Sequence, residues 1–357
     1  MRARTMLFAF SLLFVGITTE SGAQGGPPES FPMPNIPRLK QLPTGPQPPA
    51  DASPAGYTRA SARALGLQAV TDAINQKYDA TEKINADLVT SMPRASDGSW
   101  VIDFFQAAFD NQFRGPSDDH VKFWLLPWER DRPQSAAVPI VQAIRWQRRA
   151  WEARGGTYSV PGEAMQLFRD RLLLASKALE KSESLGPRSA MWYWIALIVA
   201  GSSGQPVPQF DALFEEAVTK FPTYQPLYFT RMNYLLPQWG GSFDAVDKFV
   251  EHSVQRTKAV DGEAFYAWLY ADVVRKIDGN LFETTGARWP RVKRGFEDMV
   301  KRYPDPYNRN FFAAYACLAR DRETTARLMS EPAVKYLDGF VDGLTTEGCR
   351  KFAFEPA

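Results

Sequence analysis

The chain has 357 residues, of which 45% are hydrophobic, 13% aromatic and 23% charged, with 27 Pro, 10 Trp, 2 Cys and 2 His. These proportions exclude collagen-like, disulfide-framework and wholly disordered classes of protein. Two Cys and two His, far apart in the chain, are too few for a tetrahedral zinc site unless all four converge. The net charge of +2 also argues against nucleic-acid binding through counterion release. We therefore expect no metal, no cofactor and no nucleic-acid partner.

The N-terminus has the pattern of a secretory signal peptide. Arg2 and Arg4 precede an apolar run at residues 6–17, and small residues follow at 21–23. The run is shorter than the roughly 20 residues that span a bilayer. The sequence therefore predicts a signal peptide at 1–23, cleaved after Ala23, and a mature chain without a membrane span in the periplasm or outside the cell. The alternative is an uncleaved anchor.

Residues 24–56 have the composition of an extended tether. They contain 10 of the 27 prolines and show no hydrophobic periodicity. Such a segment cannot bury enough apolar surface to offset the entropy of ordering it. We predict a Pro-rich disordered tether at 24–56 that sets the folded body apart from the N-terminus.

A helical pattern begins at Tyr57 and predicts one folded body at 57–357. The first apolar stripe consists of Leu65, Leu67, Val70, Ile74 and Tyr78. Asp97-Gly98 then predicts a turn, and the aromatic-rich residues after Trp100 favour a helix.

Three further helices are predicted along the chain. Ser135 can cap a helix that runs to Arg154 and ends at Gly155-Gly156. Another helix starts near Pro161, and its apolar face consists of Leu167, Phe168, Leu172, Ala175 and Leu179. Residues 191–200 are apolar all round, which is typical of a helix buried between neighbours.

Short internal repeats indicate the architecture. Residues 215–222 recur as residues 297–304, and each copy is expected to end a helix with an aromatic-proline pair. Phe210-Asp211-Ala212 recurs as Phe243-Asp244-Ala245, an offset close to the tetratricopeptide period of 34 residues. We predict an all-α fold of tetratricopeptide-like helical hairpins, stacked as an α-solenoid or an irregular helical-repeat array. The alternative is coincidence within an irregular helical bundle.

Several strings in this body resemble a known bacterial family. They are residues 133–135 (Pro-Gln-Ser), 151–156 (Trp-Glu-Ala-Arg-Gly-Gly), 235–242 (Leu-Leu-Pro-Gln-Trp-Gly-Gly-Ser) and the helix around Cys317. Over roughly residues 98–355 the chain resembles the family known as domain of unknown function 4034. The resemblance implies an exported or periplasmic helical-repeat protein whose activity is not established. It supplies no catalytic residues, and we assign none.

The candidate binding residues are Trp151, Arg154, Trp239, Gly240 and Gly241. Pro237 is expected to end a helix, and the two glycines permit positive φ, so a purely structural role is one interpretation. In the other, Trp239 and the glycine amides border a groove and contact a ligand. Arg154 is expected to hydrogen-bond helix-terminal carbonyls or to pair with a carboxylate, and the alternative is that it binds a peptide or an anion. The ten tryptophans are interpreted as packing between helical layers, with an aromatic ligand surface as the alternative.

The two cysteines and the two histidines leave further alternatives. In an oxidising compartment Cys317 and Cys349 can form a disulfide, or Cys317 can be a buried hydrophobe. His120 is interpreted as a solvated loop residue and His252 as a surface residue. Glu183-Ser184 is similar to the Glu-Ser pair of lytic transglycosylases, but no lysozyme-like domain surrounds it.

Two classes of function follow from these patterns. The first is a non-catalytic scaffold of the cell envelope that binds an unknown protein or peptide in a groove. The second is an enzyme that acts on cell-wall glycan or peptide through two carboxylates, of which at least one has a pKa raised by burial. A purely structural envelope component is a third possibility, and it would have no ligand groove.

Overall fold

Helices form the regular structure of every described part of the chain, which confirms the all-α prediction. In the computed structural model, the described residues are 56–115, 117, 119–155, 160–277 and 279–356. The predicted signal peptide at 1–23 and almost all of the predicted tether at 24–56 lie outside them. The α-helices are α1 (Arg59–Ile74), α2 (Tyr78–Ser91), α3 (Val101–Gln112), α4 (Leu125–Asp131), α5 (Ala137–Arg154), α6 (Gly162–Leu185), α7 (Ala190–Ser202), α8 (Val207–Lys220), α9 (Gln225–Asn233), α10 (Phe243–Asp261), α11 (Ala264–Val274), α12 (Leu281–Thr284), α13 (Trp289–Arg302), α14 (Pro306–Leu318), α15 (Arg322–Met329) and α16 (Thr346–Phe354).

The chain divides into two compact units. One comprises Gly22–Ser242, and the other contains Phe243–Ala357. The sequence pattern predicts one body at 57–357, with no boundary at this point. Within the part of the chain that the structure describes, no helix is both long enough and apolar enough to cross a membrane.

The first helix buries small residues rather than the predicted large ones. Leu67 is 52% exposed and Ile74 is 42% exposed, and Tyr78 begins α2 instead of extending the stripe. The buried face of α1 is formed by Ala62, Gly66, Ala69, Val70 and Ala73. A Cβ atom at Gly66 would overlap the carbonyl oxygen of Phe104 in α3. The predicted stripe is therefore wrong at Leu67 and Ile74, whereas Val70 and Tyr78 are buried and Leu65 is half-buried. The close approach of α3 leaves room only for small side chains where the two helices meet.

The central helices of the first unit follow the prediction more closely. The hydroxyl of Ser135 accepts hydrogen bonds from the amides of Ala137 (3.2 Å) and Val138 (3.3 Å), so it caps α5. Gly155 ends α5 with φ of +69°. On α6 the predicted face is buried except at Leu167, which is 42% exposed. Residues 190–200 of α7 are all buried, as expected for a helix that is apolar all round.

The tryptophans pack in the interior or at its edge, as the first interpretation predicted. The buried ones are Trp100, Trp124, Trp128, Trp151, Trp192 and Trp194, and the half-buried ones are Trp146, Trp239, Trp268 and Trp289. Neighbouring rings meet at 5.9 to 6.0 Å around Trp124 and Trp128. Ring packing of this kind stabilises the fold beyond the area that it buries.

The longer internal repeat corresponds to matching structure. Phe221 follows the end of α8 and leads to α9, and Tyr303 follows the end of α13 and leads to α14. The shorter repeat does not match, because Phe210 lies one turn inside α8 whereas Phe243 is the first residue of α10. The 33-residue offset is therefore not a structural period here.

A disulfide joins two helices of the second unit. Cys317, near the end of α14, is bonded to Cys349 in α16, and their Cα atoms are 5.8 Å apart. Cys349 is buried and Cys317 is half-buried. The bond links the last helix of the chain to the body of its unit.

Candidate functional site

Trp151 contacts two of the other candidate residues, Arg154 on the same helix and Trp239 further along the chain. The rings of Trp151 and Trp239 are 5.9 Å apart and nearly perpendicular, at 89°. The Arg154 guanidinium lies 5.5 Å from the centre of the Trp151 ring. We call these three side chains the tryptophan–arginine site. It lies within the Gly22–Ser242 unit, at the C-terminal end of α5.

A small apolar core supports this site. It consists of Ala150, Trp151, Phe168 and Leu172, with Met165 and Trp239 packed against it. Tyr234 contacts the other side of Trp239, with the ring centres 5.5 Å apart. Trp151 is buried, whereas Trp239 and Arg154 are half-buried. The site therefore combines a buried aromatic pair, Trp151 and Phe168, with two side chains that reach the surface, Trp239 and Arg154.

The backbone that carries Trp239 has little freedom. A 3-10 turn spans Pro237–Trp239, Gly240 follows with φ of +84°, and Gly241 abuts residue 235. Gly240 thus has the predicted positive φ, which other residues adopt only with strain. Pro237 opens the turn rather than ending a helix, because α9 has already ended at Asn233.

Alanine at Gly241 should disturb this segment. Its Cβ would overlap the carbonyl of Leu235, and backbone shifts of this kind destabilise a fold by about 1 to 3 kcal/mol. We expect Gly241→Ala to lower the midpoint of urea unfolding. Gly162→Ala is the control, since a Cβ there meets nothing within 4 Å and alanine favours the helix that starts at this residue. Equal midpoints for Gly241→Ala and the parent would contradict this expectation.

Arg154 is a half-buried cation that has no acidic partner among the described residues. Its Nη1 donates to the carbonyl oxygen of Gly155 at 3.2 Å, which agrees with the predicted contact to a helix end. Burial lowers the pKa of the Arg154 guanidinium. The nearby carboxylate of Glu152 instead accepts hydrogen bonds from Arg149 (2.8 Å) and from the amide of Gly115 (3.2 Å).

The other candidate residues lie elsewhere. His120 is exposed in a 3-10 turn and His252 is exposed on α10. Glu183 accepts a 2.8 Å hydrogen bond from Arg188 near the end of α6. Among the described residues no three His, Cys, Asp or Glu side chains are grouped so that they could hold a metal ion.

One carboxyl group has the raised pKa that the enzymatic alternative requires. Burial raises the pKa of Asp103 to about 7, although a 2.7 Å hydrogen bond from the Tyr224 hydroxyl and the charge of Arg94 oppose this shift. Asp97 raises it further. Asp97 itself is bonded to Arg59 and Ser99. Both carboxyl groups are thus engaged by neighbouring side chains of the unit, which is the arrangement of a structural network.

A groove of about 650 Å³ lies in the second unit, among α13, α14 and α15. Its charged side chains are Lys293, Glu297, Lys301, Arg309, Glu323, Arg327 and Glu331. Arg309 and Glu331 pair at 2.7 Å. Because charges of both signs line this groove in nearly equal number, they do not favour a ligand of either charge. None of the candidate binding residues lies here.

Comparison with known proteins gives no match to a family model, a curated protein or a solved structure. The resemblance to the domain of unknown function 4034 family therefore stays a prediction. The function of this protein is therefore inferred from the tryptophan–arginine site itself. The sequence identified Trp151, Arg154 and Trp239 as site residues. It did not identify Met165, Phe168 and Tyr234 as members of the site, because in the sequence they look like ordinary core residues.

Proposed function

We propose that this protein is an exported, non-catalytic helical scaffold that binds a peptide or protein partner at the tryptophan–arginine site. The observation that carries the proposal is that buried Trp151 contacts both Trp239 and Arg154, which are half-buried and reach the surface. Trp and Arg are the residue types that contribute most to binding energy at protein interfaces. A half-buried Trp239 held by a constrained backbone offers a preorganised apolar contact, so little conformational entropy is lost on binding.

Export is part of the proposal. The charged and apolar pattern of residues 1–23 supports it. The disulfide between Cys317 and Cys349 also supports it, because such bonds persist in oxidising compartments. The cell envelope is therefore the place to look for the partner.

The test is an affinity pull-down from envelope extract with residues 24–357. We expect Trp239→Ala to weaken capture of a specific partner by about 2 kcal/mol, roughly 30-fold, since interface tryptophans contribute at this level. Trp146→Ala is the matched control, because Trp146 is half-buried like Trp239. It lies on α5 and contacts Arg145 rather than the residues of the site. Truncation of a half-buried tryptophan also removes packing, so thermal unfolding of both variants checks that each is still folded at the temperature of the pull-down.

Equal capture by the parent and a folded Trp239→Ala variant would overturn the site. Loss of capture by Trp146→Ala as well would indicate a general effect on the first unit rather than a contact made by Trp239.

A further inference from the structure

The positive charge of Arg154 is not paired with a negative charge among the described residues. Among the described residues, Arg154 forms one hydrogen bond, to the Gly155 carbonyl oxygen, and no ion pair. A guanidinium has five N–H donors. The described residues therefore use little of its hydrogen-bonding capacity, and the Trp151 ring beside it offers no acceptor oxygen.

Three carboxylates on α3, α5 and α6 bind groups other than Arg154. Glu152 binds Arg149 and the amide of Gly115. Asp110 binds Arg148 through both carboxylate oxygens. On α6, Asp170 accepts a 2.9 Å hydrogen bond from Gln166. No acidic side chain in this set compensates the charge of Arg154.

The surroundings of Arg154 make an ion pair there stronger than a fully exposed one. Its guanidinium is half-buried against an indole ring, and attraction between charges increases as water is excluded. Charge-assisted hydrogen bonds from arginine to a carboxylate are stronger than hydrogen bonds between neutral groups. The apolar side chains of Trp239 and Met165 lie on the same small core. The complementary ligand is thus an acidic side chain next to an apolar one.

We propose that Arg154 binds a glutamate or aspartate side chain of the partner, so that the site selects peptides in which an acidic residue adjoins apolar residues. This inference rests on the proposed function, since it specifies the ligand of the same site. In the complex, the partner carboxylate accepts hydrogen bonds from the Arg154 guanidinium while its apolar neighbours pack on Trp239.

The experiment uses three matched tripeptides and the chain of residues 24–357. The first is acetyl-Leu-Glu-Leu-amide, the second is acetyl-Leu-Gln-Leu-amide, and the third is acetyl-Leu-Gln-Leu with a free C-terminal carboxylate. Binding is followed through the indole N–H resonance of Trp151, assigned with Trp151→Phe. This N–H is buried and has no hydrogen-bond partner among the described residues, so its resonance responds to changes at the site.

We expect the Glu peptide to bind about tenfold more tightly than the Gln peptide, and this preference to weaken at high salt. Arg154→Gln should remove the preference while leaving the melting temperature unchanged, and Arg154→Lys should keep part of it. The matched control is Arg145→Gln, since Arg145 lies 4.4 Å from the Trp146 ring on the same helix and should not affect the preference.

Other outcomes overturn the inference in distinguishable ways. Equal binding of the Glu and Gln peptides would leave an apolar peptide site and remove the role of Arg154. Preference for the free C-terminal carboxylate alone would replace the acidic side chain by a chain end. Binding of none of the three would overturn the acidic-peptide ligand, and the pull-down would then decide the proposed function separately.

Discussion

Replacing both cysteines with alanine should destabilise the protein by about 3 to 4 kcal/mol. The disulfide joins residues separated by 32 positions, and closing a loop of this length removes that much free energy from the unfolded state in the chain-entropy description. The Cys317→Ala, Cys349→Ala variant is compared with the oxidised parent by urea unfolding. Reduction of the parent should lower its stability to nearly the same value.

The variant itself provides the control for this prediction. A reductant should not change its unfolding midpoint, because it has no cysteine left to reduce. Equal stabilities of the oxidised parent and the variant would mean that α16 adds nothing to the unit through its covalent link to α14.

Asp103→Asn should stabilise the protein above neutral pH and have little effect near pH 4. Burial raises the pKa of Asp103 from 3.8 to about 7 in the folded state. Between these values the folded state therefore holds a proton that the unfolded state has lost, and the stability of the parent falls as pH rises. At about 1.4 kcal/mol per pKa unit, the full loss is at most about 4 kcal/mol above pH 7. Asparagine keeps an oxygen that can accept from the Tyr224 hydroxyl and does not titrate.

The measurement is the difference in unfolding free energy between variant and parent at pH 4, 5, 6, 7 and 8. Asp244→Asn is the control, because its side chain is 74% exposed and an exposed pair with Lys248 contributes little. A constant difference across this range would show that Asp103 titrates alike in the folded and unfolded states. An increase with pH would confirm that burial raises the pKa of this carboxyl group in the folded state.

The sequence predicted the helical elements better than the faces that they bury. Capping residues predicted α5, a run that is apolar all round predicted α7, and hydrophobic periodicity predicted α6. It failed on α1, where Leu67 is exposed and Gly66 faces α3. A hydrophobic pattern shows which residues are apolar. The distance between two packed helices decides which side chains fit between them.

The candidate site was predictable in its members but not in its geometry. Trp151 and Arg154 share one turn of a predicted helix, so their proximity followed from the sequence. The contact of Trp151 with Trp239 did not, because it depends on the packing of a residue nearly 90 positions further along the chain. The buried ion pair of Arg148 and Asp110 could not be predicted from the sequence either, because charged residues in a helical pattern indicate an exposed face.

The bonds around Asp103 also constrain the order in which the first unit folds. Trp100 donates to Gln225 and Arg94 donates to the carbonyl of Thr223, across 125 and 129 positions of the chain. Contacts so distant in sequence require closure of a long loop and form slowly. During synthesis the N-terminal part of a chain emerges first. The aromatic surface around Trp100 therefore lacks its Gln225 partner until residue 225 has been synthesised. During this interval the growing chain is exposed to aggregation.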